Sequence, residues 1–232
     1  MQLTPHDIAR MMDLSAVKTY TDLETIAQLA KEAKRLNCCC AYVLPCYMPQ
    51  MKALLADAPD VLLGGTVGFP SGAHTTAIKA AEARQLIADG AGELDMVINV
   101  GMLRSGKYDY VENDVRAVVE AAEGTLVKVI LETHYLTDDE IRRGSEICVR
   151  ARADFVKTGS GWAETGATLE NVALIKSVVG DDAKIKASGG VRDLDTLVEM
   201  VRLGATRFGI NVAAGVEILE ACAAMPGSAV EV

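Results

Sequence analysis

The chain has no run of basic residues, no apolar stretch of 18 residues and no linker rich in proline, glycine and serine. Each absence removes a class of function. The net charge is −9, and phosphate neutralisation needs clustered lysine and arginine, so nucleic acid is excluded as the main partner. Without 18 consecutive apolar residues no helix is expected to span a membrane. The densest apolar run, "CCCAYVLPCYM", is short and contains a proline. The opening residues "MQLTPHDIARMMDL" hold no apolar core of a secretory signal, so none is read there. Cys38, Cys39, Cys40, Cys46, Cys148 and Cys222 form no C-x-x-C pair. Three of them are adjacent, which suits neither a disulfide framework nor a zinc site. They read as small buried hydrophobes in a reducing, cytoplasmic compartment. His6, His74 and His134 have no metal-ligand spacing either.

What is present is alternation. "MMDLS", "CCCAYVL", "VLLGGTVGF", "ELDMVINV", "TLVKVILE", "DFVKT", "KIKAS" and "TRFGI" read as strands. They are near-continuous apolar runs, as expected of strands covered on both faces. Helical patterns lie between them. "TDLETIAQLAKEAKRLN" opens on an expected capping box of Thr21 and Glu24, with Leu23, Ile26, Ala30, Ala33 and Leu36 on one face. "HTTAIKAAEARQLIADG" places Ala77, Ala81 and Ala88 on one face and stops at Gly90. "TDDEIRRGSEICVRARA" begins with a second capping box, Thr137 and Glu140. Strands alternating with helices imply parallel βαβ units. Eight such units in 232 residues predict an α/β fold, a (β/α)8 TIM barrel over 1–232 as a single domain. A doubly wound open sheet is the alternative. It wants a glycine-rich fingerprint after the first strand, and "VLPCYMPQ" is not one.

In a barrel the C-terminal ends of the strands form the reactive face. The polar residues there are Asp13, Asp95, Asn99, Glu132, Lys157, Lys186, Ser188 and Asn211. A lysine is a poor nucleophile while protonated, and its ordinary pKa is near 10.4. A dry barrel mouth and a second cation both disfavour the ammonium. Lys157 and Lys186 lie on successive strands, so one can act on the other. A neutral Lys157 would attack a carbonyl and form an imine, with Asp95 moving protons. Taken alone, a strand-end lysine usually snorkels to solvent, and Asp95 is equally consistent with a salt-bridge partner or a cap. Lys128 and Lys184 read as structural, either exposed at a strand start or paired with a carboxylate inside the barrel. The loops "GSG" (159–161) and "SGG" (188–190) follow strands and can cradle an anion with backbone N–H groups. Tight turns use glycine in any case.

The segments "VGFPSG", "LDMVIN", "VKVILET", "ADFVKTGSG", "GATLENV", "KASGG" and "RFGI", in this order, resemble the 2-deoxyribose-5-phosphate aldolase family over most of the chain. The resemblance implies a class I aldolase barrel that needs no metal or other cofactor. Its partners would be a small-molecule aldehyde and a sugar phosphate. By motif, Lys157 would carry the Schiff base, Lys186 would perturb it and Asp95 would relay protons. Asp13, Ser15, Ser160, Gly161, Gly189, Gly190 and Asn211 would bind substrate. The chain departs from the family at several places. The Schiff-base motif runs "KTGSGW", so Trp162 adds bulk. Asn211 and Val212 stand where a serine pair helps hold the phosphate, Ser15 where a threonine is usual, and Tyr42 where a cysteine is common. Loss of a donor to a buried phosphate costs roughly 1.5–3 kcal/mol. A related lysine aldolase for a different, unphosphorylated acceptor therefore stays open, as does a binding protein that kept the fold. Helix faces left apolar on the outside would make the assembly a homodimer. The tail "PGSAVEV" either folds over the site or is loose.

Overall fold

The computed structural model describes residues 2–232. A short strand β1 (Gln2–Leu3) and helix α1 (Pro5–Arg10) precede the first barrel strand, β2 (Met12–Ala16). The helix α2 (Leu23–Leu36) leads to β3 (Cys40–Val43), and α3 (Met48–Leu54) to β4 (Leu62–Val67). Next come α4 (Thr76–Asp89), β5 (Glu93–Val97), α5 (Val100–Arg104), α6 (Tyr108–Ala121) and β6 (Leu126–Ile130). The chain continues through α7 (Asp138–Arg150), β7 (Phe155–Lys157), α8 (Leu169–Val179) and β8 (Lys184–Ser188). It ends with α9 (Leu194–Arg202), β9 (Ala205–Ile210), α10 (Val212–Ala223) and β10 (Val230–Glu231). Strands β2 to β9 pair in parallel and in sequence order, and β9 closes on β2. This is the expected (β/α)8 barrel. The apolar core lies between the strands and the helix ring, with Leu14, Val129, Val156, Ile185 and Phe208 facing the helices. No helix among the described residues is long and apolar enough to cross a membrane.

The floor and the mouth of the barrel are built differently. At the N-terminal end, Arg10 donates to the carbonyls of Cys38 (2.8 Å) and Asp60 (2.9 Å). There β1 pairs antiparallel with β10, and Leu3 and Val230 are buried. The segment 230–231 therefore clasps the start of the chain, and it does so on the side opposite the strand C-termini. At the mouth, loops follow each strand and carry the polar residues.

Local chemistry explains the ends of the helices and corrects two expectations. The box of Thr137 and Glu140 is formed at α7. At α2 the cap is Asp22, which accepts from Thr25 N at 2.9 Å, and not Thr21. The Thr21 hydroxyl turns back to accept from Lys18 N, leaving the cap to a carboxylate that also complements the helix dipole. Gly90 does end α4, in the left-handed region at φ 109°, which glycine enters without a steric penalty. Its buried face, however, is Lys79, Ala80, Ala83 and Leu86. Ala77, Ala81 and Ala88 point to solvent. The residue that sets the phase is a lysine, which a hydrophobic pattern counts on the wrong side. Leu23 is likewise exposed.

Strand β9 is irregular. Its pairing with β8 shifts between Ile185 and Lys186, so Ile185 lies opposite Ala205 but Lys186 opposite Arg207. One extra residue, Thr206, is accommodated as a bulge. Ala205 faces the helix-side core, while Arg207, two residues on, reaches the interior.

Lys79 itself is wholly buried, bonded to Asp114 of α6 and to the Val97 carbonyl. Burial lowers its pKa, and Asp114 opposes that shift. Asp114→Ala would leave a buried charge unpaired and is expected to cost about 3–5 kcal/mol. Combining Lys79→Met with Asp114→Leu should recover most of the loss. Urea unfolding of the single and double variants checks this.

Candidate active site

Strand alternation sends every second side chain into the barrel. Asp13 from β2, Glu93 and Asp95 from β5, Lys128 from β6, Lys157 from β7, Lys186 from β8 and Arg207 from β9 meet there. Lys157 lies directly opposite Lys186 in the β7–β8 register, so the two ammonium groups are neighbours by construction. Both donate to one atom, Asp95 Oδ2, each at 2.7 Å. Lys186 Nζ also lies 2.6 Å from Asp13 Oδ2. Lys128 pairs closely with Glu93 and sits 3.7 Å from both Asp13 and Asp95. Arg207 reaches Asp13 at 2.7 Å and Glu93 at 3.0 Å. Lys128, Lys186 and Asp95 are at most 1% exposed, and Lys157, nearest the mouth, is 6% exposed.

The charges inside do not cancel. Three carboxylates, Asp13, Glu93 and Asp95, face four basic groups, Lys128, Lys157, Lys186 and Arg207. Burial alone would raise the pKa of Asp95, but Lys157, Lys186 and Lys128 overcome it and hold the carboxyl well below the usual range. The same contest at Asp13, against Lys186, Lys128 and Arg207, also ends with a lowered value. Burial works against Lys128 too, yet Asp13, Asp95 and Glu93 raise it above an ordinary lysine. Lys157 has the weakest compensation. Burial lowers it, Asp95 resists, Lys186 adds a like charge, and the outcome is about 8. It thus yields its proton near neutral pH more readily than an ordinary lysine does.

Asp13, Cys40 and Glu93 offer ligand atoms within 4.8 Å of one another. They do not fit a divalent ion. Lys186, Lys128 and Arg207 already occupy the carboxylates, and burial raises the Cys40 thiol well above its ordinary value, so it stays protonated.

Above the cluster a cleft of about 870 Å³ opens along the loops after β2, β7, β8 and β9. Ser15, Ser160, Gly161, Gly189, Gly190 and Asn211 line it. A recess of about 20 Å³ continues inward past Val17 and Phe69 to Lys157 and Asp95. Gly189 (φ 82°) and Gly190 (φ 123°) are both in the left-handed region, a backbone shape that turns N–H groups toward a ligand. Val212 and Ala213, in the first turn of α10, also face the cleft, and an N-terminal turn favours anions. Asn211 spends its amide oxygen capping that helix, accepting from Ala214 N at 2.9 Å. Ser160 is held by Glu132, which accepts from its backbone N (3.0 Å) and from its hydroxyl. Among the strand-end candidates Asn99 does not join the site. It caps α5, accepting from Met102 N at 3.1 Å. Lys184 is exposed at its strand start, and Lys128 is the lysine paired inside the barrel.

Several residues of this site lie outside the sequence expectation. Arg192 lines the cleft and makes no hydrogen bond or ion pair among the described residues. It follows the glycine pair in "SGGVRD", so reading that loop two residues further finds it. Glu93 is two residues before Asp95 and shares its face by simple alternation. Lys18 lies in the cleft wall, donating to the Gly161 carbonyl and stacking over Trp162, whose indole N–H bonds Val17 O at 2.9 Å. Its signal is a loop contact across the barrel, which no local pattern carries.

The DeoC/LacD family aldolase profile matches residues 3–222. A deoxyribose-phosphate aldolase of Sinorhizobium medicae is 46% identical over 230 residues, covering 99% of this chain and 93% of that protein. A deoxyribose-phosphate aldolase of Klebsiella pneumoniae is 47% identical over 221 residues, covering 94% and 89%. Among solved structures, the tetrameric deoxyribose phosphate aldolase of Aeropyrum pernix superposes with a TM-score of 0.86 at 29% identity, covering 95% of this chain and 93% of that one.

Competitive labelling with acetic anhydride tests the electrostatics directly. Lys157 is expected to react with a pH midpoint near 8, and exposed lysines with one near 10.4. Asp95→Asn removes the charge that favours the ammonium, so the Lys157 midpoint should fall below that of the wild type.

Proposed function

The chain belongs to the DeoC/LacD family of aldolases, and on that premise we propose that it reversibly cleaves 2-deoxy-D-ribose 5-phosphate to acetaldehyde and D-glyceraldehyde 3-phosphate through an imine on Lys157. The observation that carries the mechanism is the shared Asp95 oxygen. Two lysines compete for one carboxylate in a buried site, and the one nearer the mouth has the lowered pKa.

The steps follow from this arrangement. Neutral Lys157 adds to the C1 aldehyde, and the carbinolamine takes up a proton and loses water to give the iminium. Asp95 accepts the proton of the C3 hydroxyl as the C2–C3 bond breaks. The bonding electrons move toward nitrogen, giving the enamine, and D-glyceraldehyde 3-phosphate departs. A proton returned to C2 and hydrolysis of the imine release acetaldehyde and restore Lys157. Asp95 Oδ1 makes no hydrogen bond among the described residues, so it has a lone pair for this transfer. Lys186 keeps Asp95 aimed and keeps a second cation beside Lys157. Positioned proton transfer of this kind contributes about 10²–10⁴ in rate. The narrow inner recess, walled by Val17 and Phe69, suits the two-carbon fragment, and the outer cleft suits the acceptor.

The acceptor side favours a phosphorylated substrate over an unphosphorylated one. Asn211 and Val212 offer fewer side-chain donors than a serine pair. The paired glycines, the α10 N-terminus and the unpartnered Arg192 nevertheless converge on one cleft.

Borohydride reduction in the presence of acetaldehyde, followed by peptide mapping, tests the reaction. A two-carbon adduct on Lys157 that is absent from Lys157→Ala is the expected result. A folded wild type with no adduct on any lysine would sink the aldolase reading and favour a binding role. For the acceptor, Arg192→Ala should raise KM for deoxyribose 5-phosphate about tenfold, with kcat and the turnover of 2-deoxyribose unchanged. Ordinary turnover of 2-deoxyribose by the wild type would instead support an unphosphorylated acceptor.

A further inference from the structure

Tyr42 is a buried aromatic among the charges. It is 2% exposed and lines the inner recess. Its ring lies against Lys186, whose Nζ is 4.2 Å from the centroid. The hydroxyl orients the ring from the other end. It accepts from Lys128 Nζ at 2.6 Å and donates to Glu93 Oε2 at 3.4 Å. The neighbouring strand makes room. Gly64 lies opposite Tyr42 in the β3–β4 register, and a Cβ there would meet ring atoms at 2.5–2.6 Å. A side chain at position 64 and this ring cannot coexist in their present places.

An ammonium has three N–H donors. That of Lys186 is drawn to Asp95 and Asp13, and its remaining side meets the face of the ring. An aromatic face attracts a desolvated cation and, unlike water, does not screen its field. We propose that Tyr42 is a positioning residue for the imine chemistry, its ring seating the Lys186 ammonium against Asp95 and keeping water from beneath it. This deepens the aldolase reading and rests on it. The consequence falls on Lys157. A fixed cation in a dry site acts on its neighbour at full strength, while a mobile, hydrated one is screened. The charged groups around Lys186 are Asp13 from β2, Glu93 and Asp95 from β5, Lys128 from β6, Lys157 from β7 and Arg207 from β9. Burial keeps the thiol of Cys40 on β3, and Tyr42 itself, protonated.

The pH dependence of borohydride trapping at Lys157 tests this. Tyr42→Phe keeps the ring and should keep the wild-type midpoint. Tyr42→Leu removes it, and the midpoint should rise by about one unit, a tenfold loss of trapping rate at pH 7. Gly64→Ala displaces the ring without deleting it and should move the midpoint the same way, which covers the case of a Leu variant that does not fold. Loss of folded protein alone lowers the amplitude and not the midpoint. A wild-type midpoint in Tyr42→Leu or in Gly64→Ala overturns the proposal, and so does a Tyr42→Phe shift as large as that of Leu. If the wild type itself forms no adduct at Lys157, the aldolase reading falls and the role of Tyr42 with it. If the wild type traps normally and the variants keep its midpoint, only the role of Tyr42 falls.

Discussion

The chemistry of this barrel depends on an uneven distribution of buried charge. Water would erase the imbalance, because at high dielectric one extra cation costs little. Inside a closed ring of strands it does not, and burial beside a second ammonium lowers the pKa of Lys157. Lys128 is surrounded by Asp13, Glu93 and Asp95, and Arg207 is clamped between Asp13 and Glu93. Lys157 has one strong partner, Asp95, and must share it. In the imine mechanism proposed above, this imbalance is what makes the Lys157 amine available as a nucleophile.

The scaffold supports this by separating rigidity from access. The floor is closed by Arg10 and by the pairing of the two short terminal strands, on the side opposite the mouth. The mouth is built of loops that hold one another: Glu132 grips Ser160, Trp162 reaches Val17, and Lys18 reaches Gly161. These contacts join residues far apart in sequence, so the entrance is assembled only when the barrel is complete. Charge positioned by strands and substrate contacts positioned by loops is the arrangement expected of this fold class.

Much of this is legible in the sequence, for identifiable reasons. The strands are short apolar runs with both faces covered, and their end residues project into the mouth, so Asp13, Asp95, Lys157 and Lys186 can be collected by position alone. Thr137 with Glu140 is a local code and reads correctly. Other features depend on information no window of sequence holds. The phase of α4 is set by a buried lysine whose partner is 35 residues away, so its alanines mislead. Thr21 and Asp22 are both good caps, and a turn contact of Thr21 decides between them. The short helix α5 starts three residues after its strand ends, at Val100, where the apolar run "ELDMVINV" reads as continuing strand. The β1–β10 clasp joins opposite ends of the chain. Arg192 and Lys18 enter the site through loop geometry, and the fit of Tyr42 to Gly64 appears only when two strands are placed side by side.

Arg207 shows how far a single backbone irregularity can reach. Plain alternation would put Ala205 and Arg207 on the same side of β9, and the bulge at Thr206 sets them on opposite sides. The guanidinium that neutralises Asp13 and Glu93 is therefore inside because of a residue count, not because of a choice of side chain. Were the same residues laid in unbroken alternation from Ala205, Arg207 would turn out toward the helices, and Asp13 and Glu93 would have only the lysines for compensation. The charge balance around Lys157 on β7 is in this sense set by a backbone irregularity two strands away, in β9.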